Sequence, residues 1–311
     1  MRIGLICDNR QWACASEPFQ AVAEGLRRLG HRVEVVARAR WPLWDHLPEA
    51  VFLWNGVHGL WGEYRRRLAA EGTPVLIMER GFFDRFNYTQ IDHAGFNHAA
   101  SWSSMLAGPA PSDGLRRFVR AWGREPAPFG LRKGYALVLL QVPSDAQLED
   151  AAIRHPGPLV EAVDAAAPAG LKIRIRAHPL SRWQCGRPSR AAPIARDGDR
   201  RPRAGMLAGK LRDAVAGAKF CITINSNAGN EALAWGCPVL CLGPALYAIA
   251  GVARQVAVAE LWRGLAEMDA GWRPDEQAVR SYLAHLACRQ WSRDELADGW
   301  PLERLLEAAL S

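Results

Sequence analysis

Short apolar runs alternate with amphipathic stretches along the chain. Arg2 to Cys7 is apolar after its first residue, the pattern of a central parallel strand. Pro18 stands where a first helical turn tolerates it, and Phe19, Val22, Leu26 and Leu29 recur on one helical face until Gly30 stops it. His31 to Ala37 predicts a second strand, Val51 to Trp54 a third, Leu60 to Ala70 a helix and Pro74 to Met78 a fourth strand.

The pattern then changes. Glu79 to Trp102 is polar and aromatic without a period, and GPAPSDG, from Gly108 to Gly114, is rich in turn residues. A short helix follows with Arg116, Arg117, Phe118 and Trp122, and EPAPFG has the composition of a hinge. This shift puts a domain boundary near Pro126 to Gly134, giving domains 1–130 and 131–311.

The second half repeats the grammar: strand Tyr135 to Gln141, helices around Ala146 to Arg154 and Leu159 to Ala166, and strand Leu171 to Arg176. Arg182 to Arg203 carries arginine at 182, 187, 190, 196, 200, 201 and 203 and is expected to be a mobile basic loop. A helix from Met206 to Val215, the strand Phe220 to Ile224, a polar turn with its helix, and the strand Pro238 to Leu242 come next. The tail is expected to be helical, ending in the amphipathic Leu302 to Leu310. Two βαβ series predict an α/β protein of two Rossmann-like domains, each a doubly wound parallel sheet, with ligand chemistry at the carboxyl ends of the strands.

Composition narrows the class. At 311 residues with 49% hydrophobic and 23% charged positions, the chain has the make-up of a folded globular protein. A net charge of +7 favours anionic partners: nucleotide phosphates, nucleic acid or an acidic membrane surface. The seven cysteines form no CxxC pair and no zinc spacing, as expected of free thiols in a reducing compartment. Asp8 ends the first apolar run too early for a signal peptide, and no run approaches the ~20 residues of a membrane span. A cytoplasmic location follows as the expectation, in a bacterial host if the chain is viral.

Four polar clusters stand at strand ends. In NSNAGNEA, after the strand at 220–224, Ser226 and Asn227 are N-cap residues, Gly229 permits close backbone approach and Glu231 is placed to accept from a ribose hydroxyl. A capped helix alone would also use these residues. Arg176 and His178, in RAHP, end another strand and aim at the same edge, where His178 binds phosphate, transfers a proton or is structural. Gln141 and Asp145, in QVPSD, line that edge or cap the next helix. In the first half, Glu79, Arg80 and Arg85 lead to Asp92, His93, Asn97 and His98. Asp92 or Glu79 could take a proton from an acceptor hydroxyl, with Arg80, Arg85, His93, Asn97 and His98 on the acceptor side. Both carboxylates could instead pair with Arg80 and Arg85. No GxxxxGK[ST] and no GxGxxG follows a strand, which disfavours P-loop kinases and dinucleotide oxidoreductases. No carboxylate cluster resembles a metal site.

In chain order, Glu79-Arg80-Gly81, Asp92-x-x-Gly95-Phe96, Gln141-x-x-x-Asp145, His178-Pro179 and Asn225-Ser226 to Glu231-Ala232-Leu233 resemble the capsule-polysaccharide glycosyltransferases that transfer Kdo. The likeness spans about residues 74 to 245. It implies the GT-B arrangement of two Rossmann-like domains facing a cleft, and a nucleotide-sugar donor, UDP- or CMP-linked, with no prosthetic group. His178, Ser226, Asn227 and Glu231 would hold nucleotide and phosphate, Gln141 and Asp145 would line the floor near the sugar, and Asp92 would be the catalytic carboxylate. Phe96-Asn97 stands where that family has an aromatic pair, and ERGFFDRFNYTQIDHAGFNHAASW is similar to compact phage-type relatives.

Two acceptors follow. A hydroxymethylated pyrimidine in DNA is preferred, on the charge, the arginine loop and the aromatics Trp102, Trp122 and Trp183, expected to be exposed. A capsule glycan or lipid-linked acceptor at an anionic membrane surface is the alternative. A nucleotide-sugar epimerase or a sugar-binding module is the reading outside the transferases.

Overall fold

The computed structural model describes residues 1–14, 17–179 and 204–311. In chain order the elements are β1 (Arg2–Cys7), α1 (Asn9–Ala13), α2 (Phe19–Arg28), β2 (Arg32–Ala37), β3 (Ala50–Trp54), α3 (Gly59–Ala70), β4 (Val75–Arg80), β5 (Tyr88–Asp92) and α4 (Gly114–Trp122). They continue with β6 (Tyr135–Leu139), α5 (Pro156–Ala166), β7 (Ile173–Arg176), β8 (Ala204–Met206), α6 (Leu211–Ala216), β9 (Ala218–Thr223), α7 (Ala228–Ala234), β10 (Val239–Cys241) and β11 (Arg254–Gln255). The chain ends with α8 (Leu261–Asp269), α9 (Glu276–Ala287), β12 (Trp291–Ser292), α10 (Arg293–Asp298) and α11 (Trp300–Leu310).

Contacts divide the chain into two units, Met1–Glu125 with Leu283–Ser311, and Pro126–Tyr282. The sequence places the break at 130 and gives the helical tail to the second domain; by contact the tail belongs to the first. Its apolar residues explain this. Trp291, Leu296, Leu302 and Leu306 share one buried core with Ile3, Leu5 and the α2 residues Phe19, Val22 and Leu26. Gly25 of α2 lets α10 approach so closely that a Cβ there would stand 1.9 Å from the Leu296 carbonyl oxygen.

The first unit's sheet has the order β12-β5-β4-β3-β1-β2. Strands β1 to β4 pair in parallel as expected, but β5 runs antiparallel to β4 and β12 antiparallel to β5. The sheet is therefore mixed rather than wholly parallel. Strand β5, Tyr-Thr-Gln-Ile-Asp, was not predicted: its polar side chains hide a strand whose last four residues are buried. The second unit's sheet, β11-β10-β9-β6-β7-β8, is parallel at every pairing. Its core joins Val138, Ile175, Ile222 and Leu240 of the strands to Leu159 and Val163 of α5 and Leu265 of α8.

Two predicted helices are shorter than expected. Residues 146–148 make only a single 3-10 turn, capped by Asp145, whose side chain accepts from the Gln147 amide at 3.1 Å. Met206 closes β8, and the helix begins at Leu211. The arginine loop of 182–203, with Trp183, lies outside the described residues. No described helix is long and apolar enough to cross a membrane.

Candidate functional site

In the second unit, pairing brings Leu139, Arg176 and Thr223 to one level at the ends of β6, β7 and β9. Gln141, His178 and Asn225 each follow two residues later, so the clusters read from sequence do meet at one carboxyl edge. Gln141 and Asn225 exchange two hydrogen bonds: Gln141 Nε2 donates to Asn225 Oδ1 at 3.0 Å, and the Asn225 amide donates to Gln141 Oε1 at 3.2 Å. Asn225 Nδ2 donates to the Gln147 carbonyl at 2.5 Å, and Gln141 Nε2 also reaches Asp145 Oδ2 at 3.2 Å. These amides are buried and bonded to one another, which fixes the β6 and β9 loops side by side.

The asparagines of the turn have similar work. Asn227 Oδ1 accepts from Asn230 Nδ2 at 3.0 Å, and Asn230 Oδ1 accepts from the Tyr282 hydroxyl at 2.6 Å. The Tyr247 hydroxyl donates to the Ser226 carbonyl at 2.9 Å. A Cβ on Gly229 would stand 2.5 Å from the Tyr247 ring, so this glycine makes room for the tyrosine. Burial pushes the phenols of Tyr247 and Tyr282 well above their ordinary range, and both stay neutral donors. Neither tyrosine was anticipated; nothing in the spacing marks them. Asn230, three residues after Asn227, was the one legible signal.

Helix α7 is only seven residues long, and its first amides are engaged. Ala228 donates to Ser226 Oγ at 3.2 Å, Gly229 to the Ser226 carbonyl at 2.9 Å, and Asn230 and Glu231 to the Asn227 carbonyl at 2.9 and 3.3 Å. The groups this edge presents are therefore side chains rather than helix amides. The Ser226 hydroxyl accepts from Ala228 and keeps its proton to donate. Arg176 Nε is buried with no hydrogen-bond partner among the described residues, while its Nη1 reaches the Ala177 carbonyl at 3.2 Å. His178 and Glu231 are half-buried.

In the first unit, Glu79 faces Gln90 and Ile77 faces Asp92 across β4 and β5. Ile77 is level with Leu53 and Leu53 with Ile6, so Asp92 lies one residue short of the ends of β1 and β3. Glu79, Gln90 and Asp92 thus share one face near the carboxyl edge. Asp92 is 4% exposed and accepts from the amides of Ala94, Gly95 and Ser101 at Oδ1 (2.8, 3.2 and 2.9 Å) and from the Ser101 hydroxyl at Oδ2 (2.6 Å). Three N–H groups lock Oδ1, and Oδ2 retains a lone pair. Glu79 accepts from Asn55 Nδ2 at 3.0 Å and from the Arg80 amide at 2.8 Å.

Neither carboxylate pairs with Arg80 or Arg85. Arg80 bonds Glu17 at 2.5 Å and lies 5.2 Å from the Trp54 and Phe86 rings, and Arg85 Nε is buried without a hydrogen-bond partner among the described residues. Asn97 is turned inward at φ 53, taking Gln90 Nε2 at Oδ1 and giving its amide to Gln90 Oε1. His93 is exposed and His98 half-buried.

Beside Asp92 and His93 lies a cavity of about 440 Å³ within the first unit, walled by Trp102, Trp291, Trp300, Arg289 and Arg304. Its tail residues were not anticipated, because they reach Asp92 only through the fold. Trp102 is 5% exposed, packed edge-on against Phe82, and Trp122 is half-buried against Phe83 and Phe118. The expectation that both stand exposed is corrected: Trp102 is buried and Trp122 half-buried, each against phenylalanine rings. Among the described residues no three His, Cys, Asp or Glu side chains gather as a metal site.

The profile of the family described as "Capsule polysaccharide biosynthesis protein" matches residues 125–293. Two solved structures from Thermosulfurimonas dismutans share the architecture. KpsC, beta Kdo 2,4 transferase, is 16% identical over 91% of this chain and 89% of its own, with a TM-score of 0.55. KpsC, beta Kdo 2,7 transferase, is 14% identical over 97% of this chain and 100% of its own, with a TM-score of 0.56. A comparison with curated proteins gave no match. The fold is thus α/β and GT-B-like, with two Rossmann-like units.

Proposed function

Because the chain belongs to the capsule polysaccharide biosynthesis protein family, we propose that it is a nucleotide-sugar-dependent glycosyltransferase whose acceptor is a capsule or surface glycan. The observation that carries this reading is the polar carboxyl edge of the second unit, inside the matched segment, where Arg176 ends β7 and Gln141, His178 and Ser226 follow β6, β7 and β9.

The donor's phosphate meets Arg176, His178 and the Ser226 hydroxyl, which offset charge on the departing nucleotide. Glu231 accepts from the ribose. The clasp of Gln141, Asp145 and Asn225 holds this floor rigid. On the first unit Asp92, held by Ser101, takes the proton of the acceptor hydroxyl at Oδ2, and Glu79 is the second carboxylate for that role. Trp102 is buried and Trp122 half-buried, which weakens the stacking argument for a DNA acceptor; the arginine loop lies outside the described residues.

The deciding experiment incubates the protein with UDP- and CMP-sugars, capsule glycans and hydroxymethylated DNA, and reads products by mass spectrometry. Sugar transfer to a glycan with nucleotide release is the expected result. Isomerised sugar without any acceptor would instead identify an epimerase, and transfer to DNA alone would restore the nucleic-acid reading.

A further inference from the structure

We infer that the cavity beside Asp92 binds an organic anion: a phosphate or carboxylate seated on Arg289 and Arg304, carried on an apolar or flat-faced body that lies against the tryptophans.

Most of the wall is apolar, yet it holds two guanidinium groups with no carboxylate in ion-pair range among the described residues. Arg289 lies 5.8 Å from the Trp102 ring; among the described residues its Nε is buried without a hydrogen-bond partner, and its Nη2 reaches the Met105 sulfur at 3.8 Å, a weak acceptor. Burial pulls its pKa below the ordinary value, outweighing the fields of Cys288 and Asp92, neither of which is in ion-pair contact with it among the described residues. Arg304 stacks 5.8 Å from the Trp300 ring at the exposed rim.

The carboxylates on the wall already have donors, and Asp92 also lies in the field of Arg289 without touching it. Asp92 has its donors from residues 94, 95 and 101; Asp113 takes the Cys288 thiol at 3.7 Å and lies in the field of Arg117. Arg117 bonds Glu295 at 2.6 Å. Arg289 and Arg304 are left, and planar guanidinium groups fixed on aromatic faces are suited to a carboxylate or phosphate. A volume of about 440 Å³ holds a body well beyond the anion itself. That this anion belongs to the acceptor rests on the glycosyl-transfer reading, since Asp92 lines the same cavity; the binding does not.

The test is calorimetry on the intact chain without donor, with octyl phosphate below its micelle-forming concentration, inorganic phosphate and octyl glucoside as probes. Octyl phosphate binds one per chain, inorganic phosphate more weakly and octyl glucoside not at all. Arg289→Met and the rim variant Arg304→Met each weaken octyl phosphate about ten- to hundredfold with the thermal midpoint unchanged. No binding of octyl phosphate, equal binding of octyl glucoside, or unchanged affinity in both variants would overturn the site. Inorganic phosphate binding as tightly as octyl phosphate would overturn the apolar body. Octyl phosphate binding with no sugar transfer on any donor would sink the transferase reading and leave the site standing.

Discussion

Ser101 gives both its amide and its hydroxyl to the Asp92 carboxylate, at 2.9 Å to Oδ1 and 2.6 Å to Oδ2. The residue that orients this carboxylate thus comes from nine positions further along the chain, across the loop that Asp92 itself organises.

Asp92→Asn keeps the shape but loses the charge, so transfer falls by about a thousandfold or more while donor affinity is unchanged. Ser101→Ala removes one bond to the reactive oxygen and lowers kcat about tenfold at constant donor KM. Glu79→Gln lowers transfer less than Asp92→Asn does. Steady-state kinetics of the three variants rank the carboxylates; near-normal turnover in Asp92→Asn would transfer the role of base to Glu79.

At the donor edge, Glu231→Ala weakens nucleotide binding about tenfold, the loss of one charge-assisted hydrogen bond. Calorimetry with UDP and CMP measures this. Unchanged affinity for both would remove Glu231 from the nucleotide site.

Gly229→Ala pushes a methyl group to 2.5 Å from the Tyr247 ring, and the ring has little room to retreat because it is fully enclosed and bonded to the Ser226 carbonyl. The cost is about 1–3 kcal/mol, read as a lowered urea midpoint. Combining it with Tyr247→Leu recovers part of that loss; strict additivity would show that the two positions do not press on each other.

Stability falls at alkaline pH. Burial raises the Cys7 thiol to about 11 and the Cys241 thiol to about 12 from an ordinary 9.0, and lifts the phenols of Tyr247 and Tyr282. Folding holds these protons more tightly than the unfolded chain does. The stabilisation is complete below the unfolded values near 9.0 and is lost as pH rises through about 11 to 12. Urea midpoints measured from pH 8 upward decline beyond 9; a flat profile would show that these groups are not enclosed.

Much of this is written in apolar runs. The strands β1, β3, β4, β6 and β9 are legible because parallel strands covered on both faces need near-continuous apolar residues. Strand β5 is not, since Thr89, Gln90 and Asp92 are buried by hydrogen bonds that only the folded loop supplies. The short turn at 146–148 defeats a helical pattern because Asn225 holds the Gln147 carbonyl. Polar residues just past apolar strands marked Gln141, His178, Ser226 and Glu79. Arg289, Trp300 and Arg304 carry no local sign, because a tail helix meets Asp92 only once Gly25 has let α10 pack against α2.

Helix α9 begins in one unit and ends in the other, since the division falls between Tyr282 and Leu283. The second unit is thus a continuous insertion within the first. During synthesis, residues 126–282 are complete while the first unit still lacks Trp291, Leu296 and Leu302 from its core. A ribosome-bound chain therefore completes residues 126–282 before the unit that flanks them, which waits for residues 283–311 to emerge.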